Sequence, residues 1–119
     1  MRGHGMHIDE YAFGRMVVDG KTYRKDLILL PEGVREDWWR EEGHSLAEAD
    51  LADVFDAKPD VLVIGTGAHG VMGVPPAVRR ALEEAGIPAI IERTGEAVGR
   101  YNALAAAGTR VAGAFHLTC

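Results

Sequence analysis

Three glycines, spaced Gly65-x-Gly67-x-x-Gly70, follow the apolar run Val61-Leu-Val-Ile64. The main-chain amides of such a loop can cradle a pyrophosphate at the start of a helix. A helix-like stretch continues to Gly86, and a second apolar segment, Ala89-Ile90-Ile91, ends on Glu92, where dinucleotide sites place a ribose-binding carboxylate. The chemistry suggested is NAD or FAD binding. The residues behind the glycines oppose it. Val71-Met-Gly-Val-Pro75-Pro76 carries two adjacent prolines. Proline suits the first turn of a helix, costs about 3 kcal/mol in its interior, and pushes the preceding residue out of helical geometry. The helix is therefore predicted to begin at 75 or 76, about ten residues past the strand, where the fingerprint needs a tight turn. A chain of 119 residues also has room for about one of the two mononucleotide-binding halves. No cofactor is expected. The glycine loop instead reads as one wall of a polar pocket at a sheet edge, where its amides and the Thr66 hydroxyl can hold a carboxylate or phosphate.

Other side chains are weighed against that wall. Thr94 stands at a predicted helix start, where it either caps the helix or adds a hydroxyl to the pocket. Tyr101 shares the apolar face of that helix, and Asn102 beside it needs hydrogen-bond partners wherever it is buried. Among the five histidines, His4 and His7 lie in a polar N-terminal segment and His44 precedes Ser45 at a turn, whereas His69 sits in the glycine loop and His116 lies three residues before Cys119. A zinc set of His69, His116 and Cys119 has no recognised ligand spacing, and no metal site is expected. Cys119 lies beside the chain carboxylate, which opposes thiolate formation with His116 as base. No two titratable residues have a spacing that compels acid–base work, so no catalytic residue is assigned. Adjacent Trp38 and Trp39 read either as anchors for a partner or as one buried and one partly covered ring.

The positioning elements follow from hydrophobic period and punctuation. Met16-Val17-Val18 and Thr22-Tyr23 flank Asp19-Gly20, a tight-hairpin signal. Leu27–Leu30 is a short buried strand, and 31–45 shows no sustained period. Ser45-Leu-Ala-Glu48 has capping-box form ahead of a helix over roughly 46–56. Val61–Ile64, Ala89–Ile91 and Val111–Thr118 are strands; helices are predicted over 76–85 and from Thr94 to Gly108. This alternation implies an α/β domain with a parallel or mixed sheet over residues 8–119, preceded by a disordered extension over 1–7. The formal net charge of −5 and the lack of a Lys/Arg cluster argue against nucleic acid, and no apolar run approaches a membrane span. One cysteine and no apolar leader suggest the cytoplasm.

Taken together, Tyr11-Ala-Phe-Gly14, Trp39-Arg40 with His44, Val61-Leu-Val-Ile-Gly-Thr-Gly67, Thr94-Gly-Glu-Ala97, Tyr101-Asn102-Ala-Leu104 and His116-Leu-Thr-Cys119 resemble a small family of domains of unknown function. That family includes the adipogenesis-associated domain protein and a mitochondrial assembly factor for respiratory complex I. The resemblance implies a three-layer α/β domain with a mixed central sheet, helical cover and a protruding N-terminal β-hairpin. It implies no reaction. The mitochondrial member acts by association, but its localisation does not transfer, because no Arg- and Ser-rich presequence is present. Gly65, Thr66, Gly67, Thr94, Tyr101, Asn102, His116 and Thr118 match the family pattern; with His69 they form the candidate ligand pocket. The expectation is a non-enzymatic binding or assembly module with a protein partner, a homodimer or a small anion. The alternative is an enzyme, or a binder of a small anionic ligand, at the same pocket.

Overall fold

The computed structural model describes residues 6–119, and a five-stranded mixed sheet runs through its centre. Strands β1 (Ile8–Ala12), β2 (Arg15–Val18) and β3 (Lys21–Tyr23) form a separate antiparallel meander. The central sheet consists of β4 (Leu27–Leu30), β5 (Gly33–Arg35), β6 (Val61–Thr66), β7 (Ala89–Glu92) and β8 (Val111–His116), in the order β5-β4-β8-β6-β7. β6 runs parallel to β7 and β8, while β4 pairs antiparallel with β5 and β8. Helices α1 (Ala52–Ala57), α2 (Pro76–Glu84) and α3 (Thr94–Ala106) complete the chain, with a 3-10 turn, Glu48–Leu51, ahead of α1.

Every residue of β6 and β8 is buried, as strands covered on both faces must be. Their side chains divide by alternation. Leu62, Ile64, Ala112 and Ala114 pack with Val54, Val78 and Leu82 of α1 and α2. Val61, Val63, Val111 and Phe115 pack with Ala97 and Tyr101 of α3 and with Ile8, Met16 and Val18 of the meander. Three layers result, and the expected hairpin over Asp19-Gly20 gains β1 as a third strand. Asp19 and Gly20 both hold positive φ, 49° and 84°, as the tight turn requires. No helix among the described residues is long and apolar enough to cross a membrane.

Several local expectations change. Ser45 does not cap the next helix; it bridges to Gly73, and the Asp50 carboxylate accepts the Ala47 amide at 2.8 Å instead. β5 was hidden in the stretch without a period, because its three residues include a single apolar side chain, Val34. The last strand ends at His116, and residues 117–119 leave the sheet. Residues 6 and 7, predicted to belong to a disordered extension, are tied to the domain. The Asp19 amide donates to the His7 carbonyl at 2.9 Å, and the Met6 amide donates to the Tyr101 hydroxyl at 3.0 Å. Residues 1–5 of that extension, His4 among them, lie outside the described residues.

Candidate functional site

Because β6, β7 and β8 are parallel, the glycine loop after β6, the start of α3 after β7 and the segment after β8 meet at one sheet edge. Gly65, Thr66, Gly67, Thr94, His116 and Thr118 do converge there. Helix α2 begins at Pro76 with Pro75 as its N-cap, so the loop has the length the prolines predicted and no helix amide lies within the glycine motif. Glu92, the would-be ribose ligand, is paired with Arg100 on α3.

The polar groups of this edge are consumed by the chain itself. The Ala68 amide donates to the Thr118 carbonyl at 2.7 Å, and the His69 and Val71 amides donate to the Cys119 main-chain oxygen at 3.0 and 3.1 Å. Gly70 and Met72 donate to the carbonyls of Gly67 and Thr66. The Gly67 amide is taken by the Thr94 hydroxyl at 2.9 Å, and that hydroxyl donates to the His116 carbonyl at 2.6 Å. Arg93, not Thr94, is the N-cap of α3, so Thr94 joins three segments rather than capping a helix. The Thr66 hydroxyl donates to the Glu92 carbonyl. The expected anion-holding wall is a seat of amides, and the carbonyls of residues 118 and 119 accept three of them. The glycines serve the same contact. Gly67 has a φ of 108°, and a Cβ there would stand 2.7 Å from the Thr118 carbonyl oxygen. At Gly65 a Cβ would meet the Thr94 hydroxyl at 2.8 Å and the Phe115 ring at 2.9 Å.

Tyr101 and Asn102 serve the N-terminal strand rather than the loop. Asn102 accepts the Ile8 amide at 2.8 Å and donates to the Ile8 carbonyl at 2.9 Å, holding β1 onto α3 as a neighbouring strand would. Tyr101 is fully buried edge-on to Phe115, and burial raises its phenol pKa, with the Met6 amide acting in the opposite direction. His69 is exposed, its ring 6.4 Å from that of Phe13.

His116 leads to two residues that the sequence did not single out as a pair. Its Nδ1 lies 2.7 Å from Asp26 Oδ2, and Asp26 Oδ1 accepts the Leu117 amide at 2.7 Å. Arg40, only 4% exposed in its side chain, places Nη2 at 2.9 Å from Asp26 Oδ2 and 3.0 Å from the Gly43 carbonyl. Nη2 has two protons and those are two acceptors. Its 3.2 Å approach to His116 Nδ1 is therefore a contact, and the short link to the carboxylate makes Nδ1–H the donor and Asp26 Oδ2 the acceptor. Burial alone would raise the Asp26 pKa, but the His116 and Leu117 hydrogen bonds, the His116 charge and Arg40 together hold it below its ordinary value. His116 Nε2, Arg40 Nε and Arg40 Nη1 are buried with no protein partner. The Arg40 guanidinium also lies 4.7 Å from the centre of the Trp38 ring. Arg40 and Asp26 offset each other's charge, which suits a structural knot joining residue 26, segment 38–43 and the end of β8. No group of three or more His, Cys, Asp or Glu side chains among the described residues is placed to hold a metal.

The surface differs in character. Trp38 is buried, with its amide on the Asp26 carbonyl and its indole N–H on the Asp50 carbonyl, at 2.8 and 2.9 Å. Its neighbour Trp39 is 77% exposed. Phe13 and Val71 are exposed too, at the sheet edge beside His69. A concavity of about 590 Å³ opens away from this edge, between α2 and the turn into β7, lined by Arg79, Leu82, Gly86, Ile87 and Ile91 among others.

The whole domain has known counterparts. A family model described as protein of unknown function (DUF498/DUF598) matches residues 8–116. A solved structure named as an outer membrane protein from Bartonella henselae is 27% identical, with a TM-score of 0.83 over 98% of this chain and 98% of that one. The Rpa2829 protein from Rhodopseudomonas palustris is 31% identical, with a TM-score of 0.76 over 92% of this chain and 81% of its own. A Bordetella pertussis protein described as a Mth938-like domain shares the fold at 22% identity, with a TM-score of 0.67 over 94% of this chain and 85% of that one. Matched along nearly all of its length and carrying the same three-layer architecture, this chain belongs to the DUF498/DUF598 family of proteins of unknown function.

Proposed function

We propose that this protein is a non-enzymatic binding or assembly module of the cytoplasm, engaging a protein partner through its surface rather than a small ligand through a polar pocket. One observation carries this reading: Trp39 stands 77% exposed next to a Trp38 that is buried and hydrogen-bonded at both its amide and its indole. An anchored neighbour presents the exposed ring at little entropic cost, and tryptophan is the residue type most enriched among binding hot spots. The saturated amides around Gly67 count against a small anion at the sheet edge, and the resemblance to the adipogenesis-associated domain protein and the complex I assembly factor favours association. The single cysteine supports a reducing compartment.

The test replaces Trp39 with a photo-crosslinking phenylalanine analogue in living cells, identifies the captured protein, and rebuilds the complex from purified components. Trp39→Ala is expected to weaken that complex about thirtyfold. An unchanged affinity for the rebuilt complex removes Trp39 as the anchor.

A second reading is favoured by the unpartnered His116 Nε2 opposite an Asp26-bound Nδ1, the polarity of a general base. It requires reagents to reach a buried ring. Carbethoxylation of His116 at the rate of exposed His69 supports this reading, and complete protection in the folded protein removes it.

A further inference from the structure

Trp39 lies in a groove of about 420 Å³ whose apolar lining comes from Trp38, Trp39, Ala49 and Ala52. Its charged lining is one-sided: Glu36, Asp37, Glu41, Asp50 and Asp53 face a single base, Arg35. Part of that charge is used within the fold. Arg35 pairs with Asp53 at 2.8 Å, Lys21 reaches Glu36 at 3.5 Å across the surface, and Asp50 accepts the Ala47 amide. Asp37 and Glu41, the residues on either side of the tryptophan pair and Arg40, have no hydrogen bond or ion pair among the described residues. Arg40 does not offset them, because its guanidinium is buried against Asp26.

We infer that this groove takes a basic, lysine- or arginine-bearing segment of a partner protein, with a cationic side chain stacked on the Trp39 indole and held between Asp37 and Glu41. The inference rests on Trp39 being the partner anchor and adds the chemistry of the partner. The electron-rich face of an exposed indole attracts a cation, and the Asp37 and Glu41 carboxylates in the same groove strengthen that attraction and exclude acidic competitors. A second copy of this chain is the wrong occupant: each copy has a formal net charge of −5 and the same acidic groove. Nucleic acid is excluded at this surface for the same reason.

Short synthetic peptides on one alanine–leucine scaffold, carrying lysine, serine or glutamate at the same positions, test the inference by fluorescence anisotropy and tryptophan emission. The lysine peptide is expected to bind at least about tenfold tighter than the glutamate peptide, with an affinity that falls as salt rises. Trp39→Ala and the paired change Asp37→Asn with Glu41→Gln should each lower that affinity about tenfold. Glu83→Gln with Glu84→Gln on α2, which changes net charge equally, should leave it unaltered. Equal binding of all three peptides that still depends on Trp39 overturns the cationic preference while leaving the anchor in place. Lysine-peptide binding insensitive to both groove variants reduces the effect to attraction by overall charge and overturns the inference. Binding of none of the peptides overturns it as well.

Discussion

Replacing Asp26 with alanine breaks a half-buried, highly connected polar group beneath the candidate site. The wild-type carboxylate accepts from His116, from Arg40 and from the Leu117 amide within 2.9 Å, and its side chain is 16% exposed. Truncation leaves the Arg40 guanidinium buried without its counter-charge and the Leu117 amide without its acceptor. Loss of one partner of a buried pair costs about 3–5 kcal/mol, and the small residual exposure of Asp26 places the expectation near the lower bound, about 3 kcal/mol. Asp26→Asn keeps the shape and an acceptor for the Leu117 amide but removes the charge, and should cost about half as much. The pH dependence has a definite sign. Because the folded-state pKa of Asp26 is lowered, the unfolded chain binds the proton first on acidification. Its stabilisation is complete above the ordinary aspartate value of about 3.9 and disappears as pH falls through the lower folded-state value. Urea unfolding of wild type, Asp26→Asn and Asp26→Ala from neutral pH into the acid range tests both quantities. The wild-type advantage should shrink as the medium is acidified. An Asp26→Ala loss below about 1 kcal/mol at neutral pH, or an advantage that grows in acid, would refute the account of this cluster.

Three further experiments probe the glycine loop and the N-terminal strand. Gly67→Ala forces a side chain onto residues 118 and 119 from a φ of 108°, and should destabilise by about 1–3 kcal/mol in denaturant, with faster amide exchange at Ala68 and His69. Asn102→Ala removes both bonds to Ile8, and a loss of about 2 kcal/mol should be accompanied by faster exchange throughout β1. Isothermal titration of NAD or FAD should give no binding heat and no change in melting temperature, since the loop amides already have acceptors; saturable binding lost in a Gly67 variant would restore the dinucleotide reading.

Fold and site were unequally legible. The Asp19-Gly20 turn, the buried runs of β6 and β8 and the start of α2 at Pro76 were readable because each depends on local rules: positive φ, burial on both faces, and proline geometry. Convergence of Gly65, Thr94 and His116 followed from parallel strands. What fills that convergence was not legible. The Asp26–His116 and Arg40–His116 contacts span 90 and 76 residues, and no local pattern marks Asp26, between Lys25 and Leu27, as the partner of either. Thr94 shows the same limit from the other direction. A threonine at a helix start is read as a cap, whereas tertiary packing turned its hydroxyl toward Gly67 and His116. Trp38 and Trp39 are identical in type and adjacent, so only the fold could say which one faces outward.

The central claim is that the amides of the glycine loop are taken by residues 118 and 119, leaving the exposed surface to do the binding. Amide hydrogen exchange at Ala68, His69 and Val71, followed residue by residue in the ligand-free protein, tests it most directly. Exchange at all three is expected to be slow and to accelerate together in Gly67→Ala, because all three amides donate to residues 118 and 119. Fast exchange in the free protein, slowed on adding phosphate or a nucleotide, would contradict the claim and return the loop to the role of an anion site.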